Sequence, residues 1–243
     1  MDLPLIRMPS ESVVSRTHPS DVWLARGAIV LIGGLQLLFV NRHLTFGSRW
    51  EAPAFEMAML LPLSVATAWH RQRARVATED RHWQAIARHG RWIRGFSLAL
   101  TVVVMAINFE ALVSVMGALL HGAKGPSGQS LLIDALNIWF TNVVVFALWY
   151  WTVDRGGPFA RELGTPSPPD FLFPQMLGAG DQNPGWTPGF FDYFYVSFTN
   201  ATAFSPTDTM PLSIRSKLLM AVEAFVSLLT VGLVAARAVN ILS

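Results

Sequence analysis

Five apolar runs divide this chain, at residues 22–40, 52–69, 96–120, 131–153 and 218–242. A helix needs about 20 predominantly apolar residues to cross the hydrocarbon core of a bilayer, and each run is close to that length or longer. A sixth apolar segment, residues 190–204, is crowded with aromatic side chains but falls short of a full span. Its size suits a re-entrant or interfacial helix. The pattern predicts an all-α membrane protein of about five transmembrane helices, with a re-entrant, pore-helix-like segment before the last span.

The polar connections subdivide this single membrane domain. Residues 1–21 form a polar N-terminus, 22–153 a four-span bundle, 154–188 a Pro- and Gly-rich extramembrane loop, and 189–243 the re-entrant helix, its loop and the last span. Gly27, Gly33 and Gly34 permit close helix contact in the first run. Pro62 predicts a kink in the second. Between the second and third runs lie Arg71, Arg73, Arg75, Arg81, Arg88, Arg91 and Arg94. Thr78, Glu79 and Asp80 read as a helix start, so this segment is either a solvated loop or a short helix lying on the membrane surface. Within the long loop, PDFLFPQM (residues 169–176) is expected to pack as an aromatic plug.

Composition supports the membrane assignment. Of 243 residues, 52% are hydrophobic and 14% charged, against about 25% charged in soluble domains. The net charge of +2 comes largely from clustered arginines and reads as a topology signal, not a nucleic-acid footprint. Cysteine is absent, which excludes disulfides and thiolate chemistry. The six histidines are scattered, and the hydroxyls between Ser197 and Ser213 have no histidine nearby to act as base. No enzymatic function, cofactor or metal site is expected. Asn200-Ala201-Thr202 spells a glycosylation acceptor, which chance explains inside an embedded segment. No removable signal peptide is evident, so the first run is expected to target the chain.

With five spans the chain ends fall on opposite sides. One side then carries Arg7, Arg16, the arginines from Arg71 to Arg94, Arg155, Arg161, Arg215 and Lys217, and the positive-inside rule assigns it to the cytoplasm.

The run FDYFYVSFTNATAFSPTDTMPLSIRSKLLMAVEAF, residues 191–225, resembles the short-helix, filter and inner-helix region of two-helix potassium channels. Thr199, Thr202, Asp208 and Pro211 fall where those pores carry their filter threonines, the following Asp and the following Pro. TAFSPT stands in place of the glycine-containing TVGYG filter, so the resemblance implies a pore-loop layout without potassium selectivity. FTNATAFSPTDTMPL and PDFLFPQM together resemble a family of bacterial integral membrane proteins to which no activity attaches. That likeness implies a bacterial inner membrane and a multi-pass chain.

Ionisable groups inside a bilayer cost roughly 2.5–3.5 kcal/mol on insertion scales and need partners. By depth, Arg26 is expected to pair with Glu223, and Arg237 with Asp134 and Glu56. Glu110 sits mid-span beside Asn108, with Asn142 of the fourth run at its level. It reads as a structural acid bonded to Asn142 or as a proton or cation site.

The leading functional expectation is a channel-like or transport-related protein. In it the hydroxyls of Thr199, Thr202, Ser205, Thr207 and Thr209, with the charge of Asp208, form a cation constriction. A homo-oligomer, a monovalent cation and the lipid bilayer are the partners this implies, with no nucleic acid. The alternative is a non-transporting scaffold or assembly partner in which the same loop is a structural turn, with Asp208 capping the amides that follow it.

Overall fold

The protein, described by a computed structural model over residues 19–38, 58, 80–120, 128–162, 167–177, 186–203, 205 and 208–242, is built almost wholly of helices. In chain order these are α1 (Pro19–Leu38), α2 (Asp80–Leu120), α3 (Gly128–Val153), the short α4 (Pro158–Glu162), α5 (Phe190–Ala203) and α6 (Ile214–Leu242). Three helical stretches among the described residues are long and apolar enough to cross a membrane: His89–Gly117, Leu132–Gly156 and Ile214–Ala235. The chain is therefore membrane-embedded. Helix α1 contributes a shorter apolar run, Trp23–Gly34. The second expected span, with Glu56 and Pro62, lies outside the described residues apart from Ala58.

The arginine-rich segment departs from expectation. From Asp80 onward the segment is neither a loop nor a separate surface helix, because α2 runs unbroken for 41 residues from there; residues 71–79 lie outside the described residues. Gly90 and Gly95 interrupt the helix-forming residues there, but an isolated glycine costs only about 1 kcal/mol relative to alanine. At 1.5 Å per residue α2 reaches about 62 Å, well beyond the roughly 30 Å of a hydrocarbon core.

Helix α3 is the centre of the bundle, packed against α1, α2, α5 and α6. Every residue from Thr141 to Leu148 is buried, as expected of a helix surrounded by others and not bordering the lipid on one side. By contrast α6 turns Leu218, Val222, Phe225, Leu228 and Val231 outward as an apolar face.

The end of α3 is closed by backbone geometry. Arg155, Gly156 and Gly157 follow one another with φ of 51°, 80° and 94°, a left-handed sequence that terminates a helix and that glycine tolerates best. A Cβ on Gly157 would lie 2.9 Å from the Thr152 carbonyl oxygen, so only glycine fits without a backbone shift.

Beyond this turn, β1 (Phe171–Leu172) pairs antiparallel with β2 (Met210–Pro211), Phe171 opposite Pro211. The pairing ties PDFLFPQM to the loop before α6. Phe171 and Phe173 are buried and make edge-on contacts with Tyr150, Tyr193 and Trp186. The aromatic plug thus fills the end of the bundle. Ser213 caps α6 by accepting the Ser216 amide at 3.1 Å. At the start of α5, Asp192 Oδ2 accepts the Gly189 amide at 2.7 Å.

Candidate functional site

Polar residues recur along the buried faces of the three central helices. On α3, Asp134, Asn142, Tyr150 and Asp154 are all buried and recur at multiples of four residues along a row that winds around the helix. The row is about 30 Å long at 1.5 Å per residue, close to the thickness of a bilayer core. On α6, Ser216, Glu223, Ser227 and Thr230 recur at spacings of seven, four and three and are each 0% exposed. Helix α5 adds Tyr193, Ser197 and Asn200. Spacings of three, four and seven place the α5 and α6 residues on one face of each helix, and Asn142 and Tyr150 of α3 meet the α6 face in a polar seam.

Glu223 is at the centre of the seam. Its Oε2 accepts the Tyr150 hydroxyl of α3 and, at 2.6 Å, the Asn200 amide of α5. Its Oε1 is hydrogen-bonded to Ser197 Oγ of α5. Asn200 also donates to the Met220 carbonyl at 3.0 Å, and Ser197 Oγ lies 2.6 Å from the Val143 carbonyl oxygen. All three partners of the carboxyl are neutral. The expected Arg26 partnership is not what holds Glu223; the Arg26 guanidinium lies over the Trp23 ring at 4.8 Å.

Further along, Asn142 Nδ2 donates to Ser227 Oγ at 3.1 Å and Asn108 Nδ2 to the Ile138 carbonyl at 3.2 Å. The Asn142 amide expected to serve Glu110 thus serves α6, while Glu110 is half-buried on α2. Thr141 Oγ1 is buried beside Asn142 with no hydrogen-bond partner among the described residues. Asp134, near the start of α3, is 4% exposed. The side chain of Arg237 and all of Glu56 lie outside the described residues, so their expected pairing does too.

The other end is closed by Asp154, which is 0% exposed. Its Oδ1 accepts the amides of Asp170 at 2.7 Å and Phe171 at 3.3 Å, and its Oδ2 accepts the Tyr193 hydroxyl at 2.5 Å. Arg155 Nε lies 3.8 Å from Oδ2. Buried Arg161 donates to the carbonyls of Asp154 (2.7 Å) and Trp151 (3.0 Å) and covers the Tyr193 ring at 5.5 Å. One carboxylate therefore joins the end of α3, the plug and α5. At the mouth of α5, burial, with Asp21 nearby, holds the Asp192 carboxyl above its ordinary range against the opposing pull of the Gly189 amide.

Helix α5 runs beside α3 from Trp151, which meets Phe190, to Trp139, which meets Phe198. The chain then returns to the Asp154 end, where β2 joins β1 and Ser216 Oγ donates to the Asp170 carbonyl at 3.0 Å.

The loop residues expected to line a constriction are distributed differently. Thr199 and Thr202 belong to α5, and their hydroxyls donate to carbonyls of that helix, those of Tyr195 and Val196 and those of Phe198 and Thr199. Ser205 and Asp208 are exposed, Thr209 is buried and donates to Asp208 Oδ1 at 3.2 Å, and Thr207 lies outside the described residues. Among the described residues no group of three or more His, Asp or Glu side chains could hold a metal ion.

Sequence reasoning assigned no role to Tyr150, Asp154, Tyr193, Ser197 or Asn200. The usable signal was polar periodicity at helical spacing within apolar runs, which marks an inward face in a membrane protein. No protein-family model, curated protein or solved structure matches this chain.

Proposed function

We propose that the chain is a transport-related membrane protein that moves protons, alone or together with a solute, and that Glu223 is the group that takes up and releases the proton. The observation that carries this reading is the setting of Glu223, 0% exposed where three helices meet and bonded, among the described residues, only to neutral partners. A buried carboxylate with no cation beside it is expensive, whereas a neutral acid is not. Ser197 has one hydroxyl proton and two acceptor oxygens to serve. If that proton goes to the Val143 carbonyl, 2.6 Å away, the Glu223 carboxyl must donate to Ser197 and so carries a proton at rest. The titratable group that faces it directly is Tyr150. The Asp154 group begins four residues, about 6 Å, further along α3.

The cation-binding role expected of the loop passes to the seam, because the Thr199 and Thr202 hydroxyls are already used within α5. The chain enters α5 beside the Asp154 end of α3 and comes back to that end at β2 and Ser216, which supports a re-entrant helix. The setting that goes with this reading is a bacterial inner membrane, with the Asp154 end towards the cytoplasm. A proton site needs no pore enclosed by several copies.

The test is proton flux into liposomes that hold a pH-sensitive dye and the purified protein, under an imposed membrane potential. Wild type is expected to acidify the lumen faster than empty liposomes, Glu223→Gln to fall to the empty-liposome rate, and Glu223→Asp to keep part of the flux. A wild-type rate equal to that of empty liposomes, or full flux in Glu223→Gln, removes the reading.

A further inference from the structure

A second site lies on α2, away from the polar seam. Arg91, Trp92, Gly95 and Phe96 line a pocket of about 520 Å³. On a helix, residues four apart stack on one face, so Arg91 sits over Gly95 and Trp92 over Phe96. Gly95 leaves the floor open, since a Cβ there would meet nothing within 4 Å. Trp92 is 76% exposed and Phe96 39%. The pocket falls where the arginine-rich half of α2 gives way to apolar sequence, the level at which tryptophan and arginine meet lipid headgroups.

The neighbourhood is cationic. Arg94, held by its Nε donating to the Thr152 carbonyl at 3.2 Å, is within electrostatic reach of Arg215, Arg161 and the acid Asp170. Arg215 and Lys217 are exposed near the start of α6, whose first turn contains no acidic residue. Cations at the positive end of a helix dipole are disfavoured, and an anion beside them offsets that cost.

We propose that this pocket binds the phosphate of an anionic phospholipid headgroup. Arg91, reinforced by the field of Arg94 and Arg215, holds the phosphate, and Trp92 and Phe96 provide an apolar wall for the glycerol and upper acyl chain. Free phosphate shares the charge chemistry but has no use for that wall. The assignment is independent of the proton reading.

Native mass spectrometry of the detergent-purified full chain, titrated with phosphatidylglycerol or phosphatidylcholine, tests it. Phosphatidylglycerol adducts are expected to outlast phosphatidylcholine adducts. Arg91→Gln should weaken them about fivefold, the effect of one basic residue near an anionic surface, and Arg91→Lys should restore most of the binding. Gly95→Leu fills the floor without changing charge and, by removing a helical glycine, favours the helix; it should weaken binding at least as much. Inorganic phosphate at millimolar concentration should not displace the lipid. Equal retention of the two lipids, binding unchanged in both Arg91→Gln and Gly95→Leu, or displacement by inorganic phosphate would overturn the proposal.

Discussion

Asp154→Ala is expected to lower the unfolding free energy by about 3–5 kcal/mol, the range for removing one partner of a buried ion pair. The carboxylate accepts two amides and the Tyr193 hydroxyl and faces Arg155, while Arg161 packs over the same Tyr193 ring. Alanine leaves the Asp170 and Phe171 amides and the Tyr193 hydroxyl without their acceptor and Arg155 without its nearby negative charge. Asp154→Asn retains an acceptor oxygen and should cost less, about 1.5–3 kcal/mol, the worth of a hydrogen bond to a charged group. Denaturant titration in mixed micelles measures the loss. Hydrogen exchange localises it, since the Asp170 and Phe171 amides should lose protection before those in the middle of α3. A variant as stable as wild type, with both amides still protected, would show that the plug is held by its aromatic contacts alone.

At Glu223 the contrast between two substitutions matters more than either alone. Glu223→Ala strands the donors of Tyr150 and Asn200 and removes the proton that Ser197 accepts. Unsatisfied buried donors cost about 1–3 kcal/mol each, and hydrogen bonds between membrane helices average about 0.6 kcal/mol. A total of roughly 2–5 kcal/mol follows. Glu223→Gln presents an N–H where the protonated acid presents its O–H, and a carbonyl oxygen to Tyr150 and Asn200. One amide hydrogen is left over, so its cost should stay near 1 kcal/mol. If Gln instead destabilised as much as Ala, the resident carboxyl would be an anion held by charge-assisted bonds. The same micelle titration reads both variants.

The helix boundaries were largely legible in the sequence. The expected ends at residues 120, 153 and 242 coincide with the ends of α2, α3 and α6, and the aromatic segment at 190–204 became α5 with one residue fewer. Apolar run length and Gly/Pro punctuation carry that information. The continuity of α2 was not legible because a run of arginines resembles a loop in composition while retaining good helix propensity. Pairing was the larger failure. Depth along a span gives an axial coordinate and no rotation about the axis, so Arg26 and Glu223 matched in depth although Glu223 faces Tyr150 and α5. Ser197 stands out in sequence only among hydroxyls with no histidine nearby, and Asn200 only in a chance glycosylation acceptor. Their spacing of three already placed them on one face of a short helix.

The most direct test of the central claim, that Glu223 is a buried acid able to exchange its proton, is infrared difference spectroscopy of the reconstituted protein between neutral and alkaline pH. The account predicts a carboxylic-acid carbonyl band at neutral pH that is exchanged by heavy water, is lost at alkaline pH with the appearance of carboxylate bands, and is absent from Glu223→Gln. A spectrum without that band in the wild type, or with the same band in Glu223→Gln, would contradict it.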